Sequence, residues 1–437
     1  MKDFLSKTNF TALLVRLWKN GYFFILVGQF LTKFVAFFGS VFVVRLLTKD
    51  EYGYLSIYEN TYSYLSIVAG FGLSNAIIRY VILGTNRQEQ YDYYHYAVKN
   101  GFLINILIVA LSLLFFLFRY SGELLIEYRV LFFVLALGLP FQDLYTGNCY
   151  NERAMFSPRR FAVISFLGSC LLILGRVIGA KWYNVYGVAV SQLIIYLALS
   201  FFTLLIEKRT YYKGLSYNGL LADEQKTVCI YSFQYMITNS FWAMIMLNSV
   251  FLLQQYHISA EQIADYRVAC VFPSNIGILS TCLGLVVGPN FTKHEEDLDW
   301  IRQYLTKILF GSALMVGILA VILVLFAFPI IQVFYGDIYI NTVDLMRWLT
   351  IGAFINAGIR YPLANALAAM GKIKYNLISS AVGIVLQILF NVLLIPIYGV
   401  YGTAVASILI YSAMSFMLLI VCYLLYFRKP QHKKPTP

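Results

Sequence analysis

The stretch INILIVALSLLFFLF (Ile104–Phe118) has thirteen apolar residues in fifteen, and the two polar ones, Asn105 and Ser112, do not alternate with the rest. A strand with one wet face is excluded by that pattern. A membrane strand would be about ten residues long and would alternate polar with apolar. The run reads instead as the centre of a helix in lipid, extended to residues 93–119. Outward from it lie eleven further blocks: 21–47, 54–83, 127–152, 159–181, 184–207, 228–256, 262–290, 299–328, 337–369, 373–396 and 399–427. Each reaches the roughly 20 residues that a helix needs to cross a hydrocarbon core about 30 Å thick. The chain is 60% hydrophobic and 12% charged, too little polar surface for a soluble globule of 437 residues. An all-α integral membrane protein of about twelve transmembrane helices is therefore expected.

One basic, polar stretch, EKRTYYKGLSYNGLLADEQKT (Glu207–Thr227), divides the blocks into two sets of six. The expected organisation is an amphipathic interfacial segment over 1–20, an N-terminal lobe over 21–207 and a cytoplasmic linker over 208–227. A C-terminal lobe over 228–427 and a basic cytoplasmic tail over 428–437 complete it. In the first segment, Phe4, Leu5, Phe10, Leu13, Leu14, Leu17 and Trp18 stand among basic residues, as in a helix lying at a membrane surface.

The net charge of +12 suggests nucleic acid in a soluble protein; here its placement sets topology, and no nucleic-acid partner is expected. With the N-terminus inside, cytoplasmic segments carry 23 of the 33 Lys and Arg. The opposite side keeps Lys49, Arg119, Arg129, Lys181 and Arg267, and five more lie within helices. The positive-inside rule then puts both termini in the cytoplasm. The six cysteines show no CxxC spacing and the four histidines no metal-ligand spacing, so neither a disulfide framework nor a metal site is expected. The first block is too long for a signal-peptide core, and no small-residue cleavage site follows it.

The two halves match each other. Thr48–Leu55 corresponds to Ser259–Tyr266 at an offset of 211 residues, and Tyr183–Val190 to Tyr398–Val405 at 215, with Gly187 facing Gly402. Six helices is an even number, so both halves start from the same side. The repeat is then parallel, with a cavity expected between two lobes, formed mainly by helices 1, 2, 7 and 8, and alternating access by rocking.

The chain resembles the polysaccharide and O-antigen flippases of the multidrug/oligosaccharidyl-lipid/polysaccharide (MOP) exporter superfamily. The resemblance rests on Gly28-Gln29, RLLTKDEYG (Arg45–Gly53), GLSNAIIR (Gly72–Arg79), GPNF (Gly288–Phe291) and FYGD (Phe334–Asp337). It implies a MATE-like fold and a lipid-linked oligosaccharide translocase. Such proteins turn an undecaprenyl-diphosphate-linked O-antigen, capsule or exopolysaccharide unit from the inner to the outer leaflet of a bacterial plasma membrane. The implied partners are that lipid-linked oligosaccharide and membrane lipids, with a polysaccharide polymerase and a chain-length regulator as further candidates. No cofactor is implied beyond coupling to protons or sodium.

A diphosphate crossing hydrocarbon needs cationic groups, and ions held deep in a bilayer face a cavity or a partner. Gln29, Lys33, Ala36 and Ser40 share one face of the first helix at helical spacing, which makes Lys33 a phosphate-facing candidate. The competing reading is an ion pair between Lys33 and Asp143. Asn356 and Arg360, one turn apart in the tenth block, are a second candidate pair, a buried tether being the alternative. Arg45, near the outer end of the first helix, is either a substrate contact or the partner of Glu59. Arg79 is an entrance candidate at the cytoplasmic end, where charge bias alone explains it. Arg176 and Arg347 read as snorkelling residues near the outer surface. Glu59 and Asp143 are the candidates for ion coupling, and Pro273 for a bend. The tyrosines at predicted interfaces read as an aromatic belt.

A membrane enzyme, such as a polysaccharide polymerase, would be expected to show a large extramembrane loop with paired carboxylates or arginines, and no enzymatic activity is expected here. A cation-coupled drug exporter of the same superfamily is the closer rival. It would favour acids in its cavity, whereas the helix-embedded Lys33, Arg45, Arg176, Arg347 and Arg360 outnumber Glu59 and Asp143.

Overall fold

The computed structural model describes residues 22–119, 126–277, 280, 291, 297–370 and 372–427. The expected surface segment 1–20, the tail 428–437, the Gly288-Pro289-Asn290 stretch and the side chain of Gln29 lie outside the described residues. Among the described residues every regular element is helical. Internal contacts divide the chain into two compact units, Met1–Ala243 and Met244–Pro437.

The first unit contains α1 (Tyr22–Leu46), α2 (Lys49–Ile67), α3 (Leu73–Leu83), α4 (Arg87–Arg119), α5 (Ile126–Leu137), α6 (Leu139–Ala154) and α7 (Pro158–Thr210). It also takes the first part of α8 (Ala222–Gln255). The second unit holds the rest of α8, then α9 (Ala260–Asn275), α10 (Leu298–Leu325), α11 (Ala327–Tyr335), α12 (Val343–Phe354), α13 (Tyr361–Ala369), α14 (Ile373–Tyr398) and α15 (Val400–Cys422). Seven candidate membrane spans are present among the described residues, including Arg87–Leu114 and Leu298–Leu325. Their outward faces carry bare apolar side chains, such as Leu167, Leu171, Leu174 and Ile178 on α7 and Val385, Ile388, Leu389 and Val392 on α14. A soluble protein does not expose apolar surface on that scale; this is an all-α, multi-pass membrane protein.

The second apolar block is not one helix. It breaks at Ala69–Gly72 into α2 and α3, where Gly70 (φ 52°), Phe71 (φ 49°) and Gly72 (φ 77°) are left-handed. Glycine takes that conformation without steric cost, which is why the break falls here. Gly72 also lets α3 close on α8, since a Cβ there would stand 2.6 Å from the Ser232 carbonyl oxygen.

The two sequence matches coincide with matching backbone geometry. Thr48 caps α2, accepting from the Glu51 amide while Glu51 bonds the Thr48 amide at 2.9 Å; Ser259 caps α9 in the same extended conformation. At the other offset, Asn184 (φ 51°, ψ −133°) turns α7 back on itself, and Gly399 (φ 56°, ψ −131°) joins α14 to α15. In both corners a glycine rests directly on backbone of the preceding helix: Gly187 on Gly179, and Gly402 on Leu394. Small residues allow that approach. α1 packs along α7 by the same device, with Gly39 pressed on Ile173.

Among the described residues the first unit has two buried apolar clusters. One gathers Val43, Leu55, Tyr58, Leu131, Phe132 and Leu135; the other gathers Leu73, Ile77, Val81, Tyr94 and Tyr212. In the second unit Ile301, Leu305, Leu363, Leu367 and Leu418 form the corresponding core.

Candidate functional site

The second unit encloses a cavity of about 350 Å³ walled by α8, α9, α12, α14 and α15. Its polar lining is mostly neutral: Ser249, Asn356, Gln387, Asn391, Thr403 and Ser407, with Arg267 as the charged exception. Asn391 is 1% exposed, and neither of its amide atoms has a hydrogen-bond partner among the described residues. A buried amide left in that state is costly unless a ligand or ion completes it. Neutral side-chain oxygens are the donors that a hard cation such as sodium accepts. Among the described residues no group of three His, Cys, Asp or Glu side chains is placed to hold a metal ion.

Asn356 lines this cavity, and Pro273 opens onto it from within α9. Arg360 lies beside it, 5% exposed, donating from Nη1 to Asn356 Oδ1 at 3.0 Å and stacked 5.5 Å from the Tyr361 ring centroid. The backbone explains this pairing. Proline has no N–H to continue the helical ladder, and Pro362 follows a π-helical segment, Ile355–Arg360, that absorbs the mismatch. The proline thus sets how Arg360 is presented.

In the first unit Asp143 is a hub for neutral donors. Ser74 donates to its Oδ1 at 2.7 Å and Asn105 to its Oδ2 at 2.8 Å, while Asn105 Oδ1 accepts the Gly70 amide at 2.7 Å. The network fastens α4 and α6 to the glycine break between α2 and α3. The alternative reading of Lys33 as the ionic partner of Asp143 is therefore corrected: the carboxylate is held by a hydroxyl and an amide. Lys33 itself is exposed on α1 and, among the described residues, makes no salt bridge.

Glu59 takes Arg176 as its ionic partner, joining α2 to α7. This corrects the expected Arg45–Glu59 pair. Depth along antiparallel helices put Arg45 at the right height, but the helix facing Glu59 is α7. Arg176 is thereby a structural cation rather than a snorkelling one. Arg347 likewise pairs with Asp344 at 2.8 Å. Arg45 is exposed at the end of α1, and Arg79 is exposed on α3 with its guanidinium 5.1 Å from the Tyr231 ring centroid. Asn356, Arg360 and Pro273 belong to the second unit and the other candidates to the first.

A polar core at the end of α6 and α7 escaped sequence reasoning. Glu152 and Glu207 are both essentially fully buried. Tyr211 donates to Glu152 at 2.8 Å, Asn151 donates to Glu207, and Tyr212 donates to Asn151 at 2.9 Å. Asn148 extends the net, accepting from Tyr94 at 2.7 Å and donating to Thr203 at 2.8 Å. Both acids end apolar blocks next to basic residues, so they look like solvated helix ends. The only visible signal was the tyrosine pair immediately after α7.

A family profile described as "Polysaccharide biosynthesis protein" matches residues 17–295. An uncharacterised membrane protein of Methanocaldococcus jannaschii is 21% identical over 416 residues, covering 89% of this chain and 80% of that protein. Among solved structures, an inward-facing multidrug resistance MATE transporter of the MOP superfamily superposes with a TM-score of 0.73 at 14% identity, covering 91% of this chain and 96% of the other. The lipid II flippase MurJ in an inward closed conformation gives 0.72 at 17% identity, covering 91% and 87%. A MOP superfamily transporter from Pyrococcus furiosus, described as having a binding pocket of reversed polarity, gives 0.59 at 14% identity, covering 92% and 94%. At these identities the superpositions establish the fold, which is that of MOP superfamily transporters.

Proposed function

Because the chain belongs to the polysaccharide biosynthesis protein family, we propose that it is a flippase for a lipid-diphosphate-linked oligosaccharide. It carries an O-antigen, capsule or exopolysaccharide unit from the inner to the outer leaflet of a bacterial plasma membrane. A structural neighbour, MurJ, is a flippase for lipid II. The cargo chemistry proposed here, a polyprenyl diphosphate bearing sugars, is of the same kind.

The observation that carries the reading is Lys33. It is the twelfth of the 25 residues of α1, exposed, and without a salt bridge among the described residues. An ammonium at mid-membrane costs about 2.5–3.5 kcal/mol on insertion scales unless it faces water or an anion. A diphosphate on the cargo is such an anion. The drug-exporter reading needs acids in the transport path, and both acids singled out are already engaged, Glu59 by Arg176 and Asp143 by Ser74 and Asn105.

Both termini are cytoplasmic in this account, and the cargo moves by alternating access. Arg79 and Arg45 guide the head group, and Asn356 with the buried Arg360 supplies a second cationic group. Coupling comes from sodium held by the neutral oxygens around Asn391 or from protons, and no chemical bond is made or broken. A polymerase and a chain-length regulator receive the delivered unit. The test is deletion of the gene in its source cell: lipid-linked oligosaccharide should accumulate on the cytoplasmic face. If it reaches the outer leaflet at the normal rate, the reading is wrong.

A further inference from the structure

The first unit contains a second cavity, of about 410 Å³, between α4 and α7 over Leu144 of α6. α4 and α7 each pack on neighbours in this unit while staying apart from one another here. The residues α4 contributes are Tyr91, Tyr94, His95, Val98, Lys99, Phe102 and Leu103, a spacing that keeps them on one helical face. From α7 come Leu204 and Lys208, one turn apart, with Tyr212 just beyond its end.

The lining is graded along its length. Tyr91, His95 and Tyr212 mark one end, where Tyr217 of the loop after α7 stacks on His95 at 4.6 Å between ring centroids. Phe102, Leu103 and Leu204 mark the other end, and Leu103 is 54% exposed at the start of an apolar face that continues through Ile106 and Leu107. From Tyr91 to Leu103 is about 18 Å at 1.5 Å per residue. The polar end is the one that the charge distribution places at the cytoplasmic surface.

Two ammonium groups stand between the aromatic and the apolar parts. Lys99 and Lys208 are exposed and, among the described residues, neither makes a salt bridge. Among the described residues no carboxylate lines the cavity. The nearest acids in sequence are committed elsewhere: Asp92 accepts from Gln88 at 3.1 Å and from the Asn218 amide at 3.0 Å, and Glu207 accepts from Asn151. A pair of uncompensated cations over a greasy slot, opening sideways to the bilayer, has the charge and polarity profile of one amphiphile.

We propose that this groove binds an anionic phospholipid of the inner leaflet. Its phosphate sits between Lys99 and Lys208, its head-group substituent lies under Tyr91 and His95, and an acyl chain lies along Phe102, Leu103 and Leu204. Basic pockets between transmembrane helices on the cytoplasmic side favour anionic head groups in this way. The site is independent of what the transporter carries, and it links the lipid to the packing of α4 and α7, which the cavity separates.

The test is native mass spectrometry of the delipidated full chain, offered phosphatidylglycerol or phosphatidylcholine with matched acyl chains. The wild type should retain phosphatidylglycerol at least tenfold better. Lys99→Gln with Lys208→Gln should bring it down to the phosphatidylcholine level, while Lys99→Arg with Lys208→Arg keeps the preference. Lys181→Gln, elsewhere on α7, should leave it unchanged. An unaltered preference in the double Gln variant would overturn the proposal. Loss of the lipid to equimolar inorganic phosphate would overturn it too, since the site would then hold an anion only. Displacement by a polyprenyl diphosphate at lower concentration than phosphatidylglycerol would also overturn it, because the groove would then belong to the cargo.

Discussion

Replacing Glu59 by Gln should destabilise the first unit through Arg176 rather than through Arg45. The Glu59 carboxylate and the Arg176 guanidinium are in contact, with 26% and 29% of their side chains accessible. That burial lies between the exposed pairs worth about 0–1 kcal/mol and deeply buried pairs whose breakage costs about 3–5 kcal/mol. Among the described residues the Nε of Arg176 already lacks a hydrogen-bond partner, so losing the carboxylate leaves a half-buried cation with little else to satisfy it. A cost of about 2 kcal/mol follows from the intermediate burial. For a cooperative unit of this size that corresponds to a melting shift of about 4–8 °C. The assay is thermal stability in mild detergent, read by loss of the monodisperse peak. Glu59→Gln and Arg176→Gln should fall together, and the exchange Glu59→Arg with Arg176→Glu should recover at least half of the loss. Recovery by Glu59→Arg with Arg45→Glu, and none by the Arg176 exchange, would refute the assignment.

Gly72→Ala should be among the most damaging conservative changes in the first unit, costing about 2–4 kcal/mol, because the left-handed backbone and the Ser232 carbonyl both reject a Cβ; folded yield in detergent checks it. Asp143→Asn should cost no more than about 1 kcal/mol, since its amide oxygen can still accept from Asn105 Nδ2 while its NH2 donates to the Ser74 hydroxyl. Transport per folded molecule should then persist; an Asp143→Asn protein of normal stability that does not transport would mark Asp143 as the coupling group instead. Asn391→Ala should raise the sodium concentration needed for half-maximal transport without lowering yield, and an unchanged sodium dependence would remove that cavity from the coupling path.

Much of the architecture was readable because lipid imposes length and apolarity on every crossing, and both are visible in a run such as Ile104–Phe118. The internal repeat was readable for a backbone reason. Its two matched stretches contain the residues that must cap a helix, Thr48 and Ser259, or turn one back on itself, Asn184 and Gly399. The break at Ala69–Gly72 was not readable, because glycine is common in membrane helices and does not by itself announce a left-handed turn. Depth counting correctly marked Glu59 as needing a cation, but it cannot say which neighbouring helix supplies it. Arg176 is 117 residues away and was equally deep. Glu152 and Glu207 were missed because a charge at the end of an apolar block looks the same whether water or Asn151 and Tyr211 surrounds it.

The most direct test of the account is reconstitution into liposomes that carry a fluorescent lipid-diphosphate-linked oligosaccharide, with a membrane-impermeant quencher added outside. In sealed protein-free vesicles only the outer-leaflet label is quenched. The wild type should render nearly all of the label accessible, Lys33→Arg should do so more slowly, and Lys33→Gln, at equal folded yield, should leave the inner-leaflet half protected. Full accessibility with Lys33→Gln, or continued protection of the inner half by the wild type in either ion gradient, would contradict the claim that this chain moves a diphosphate-linked lipid past Lys33.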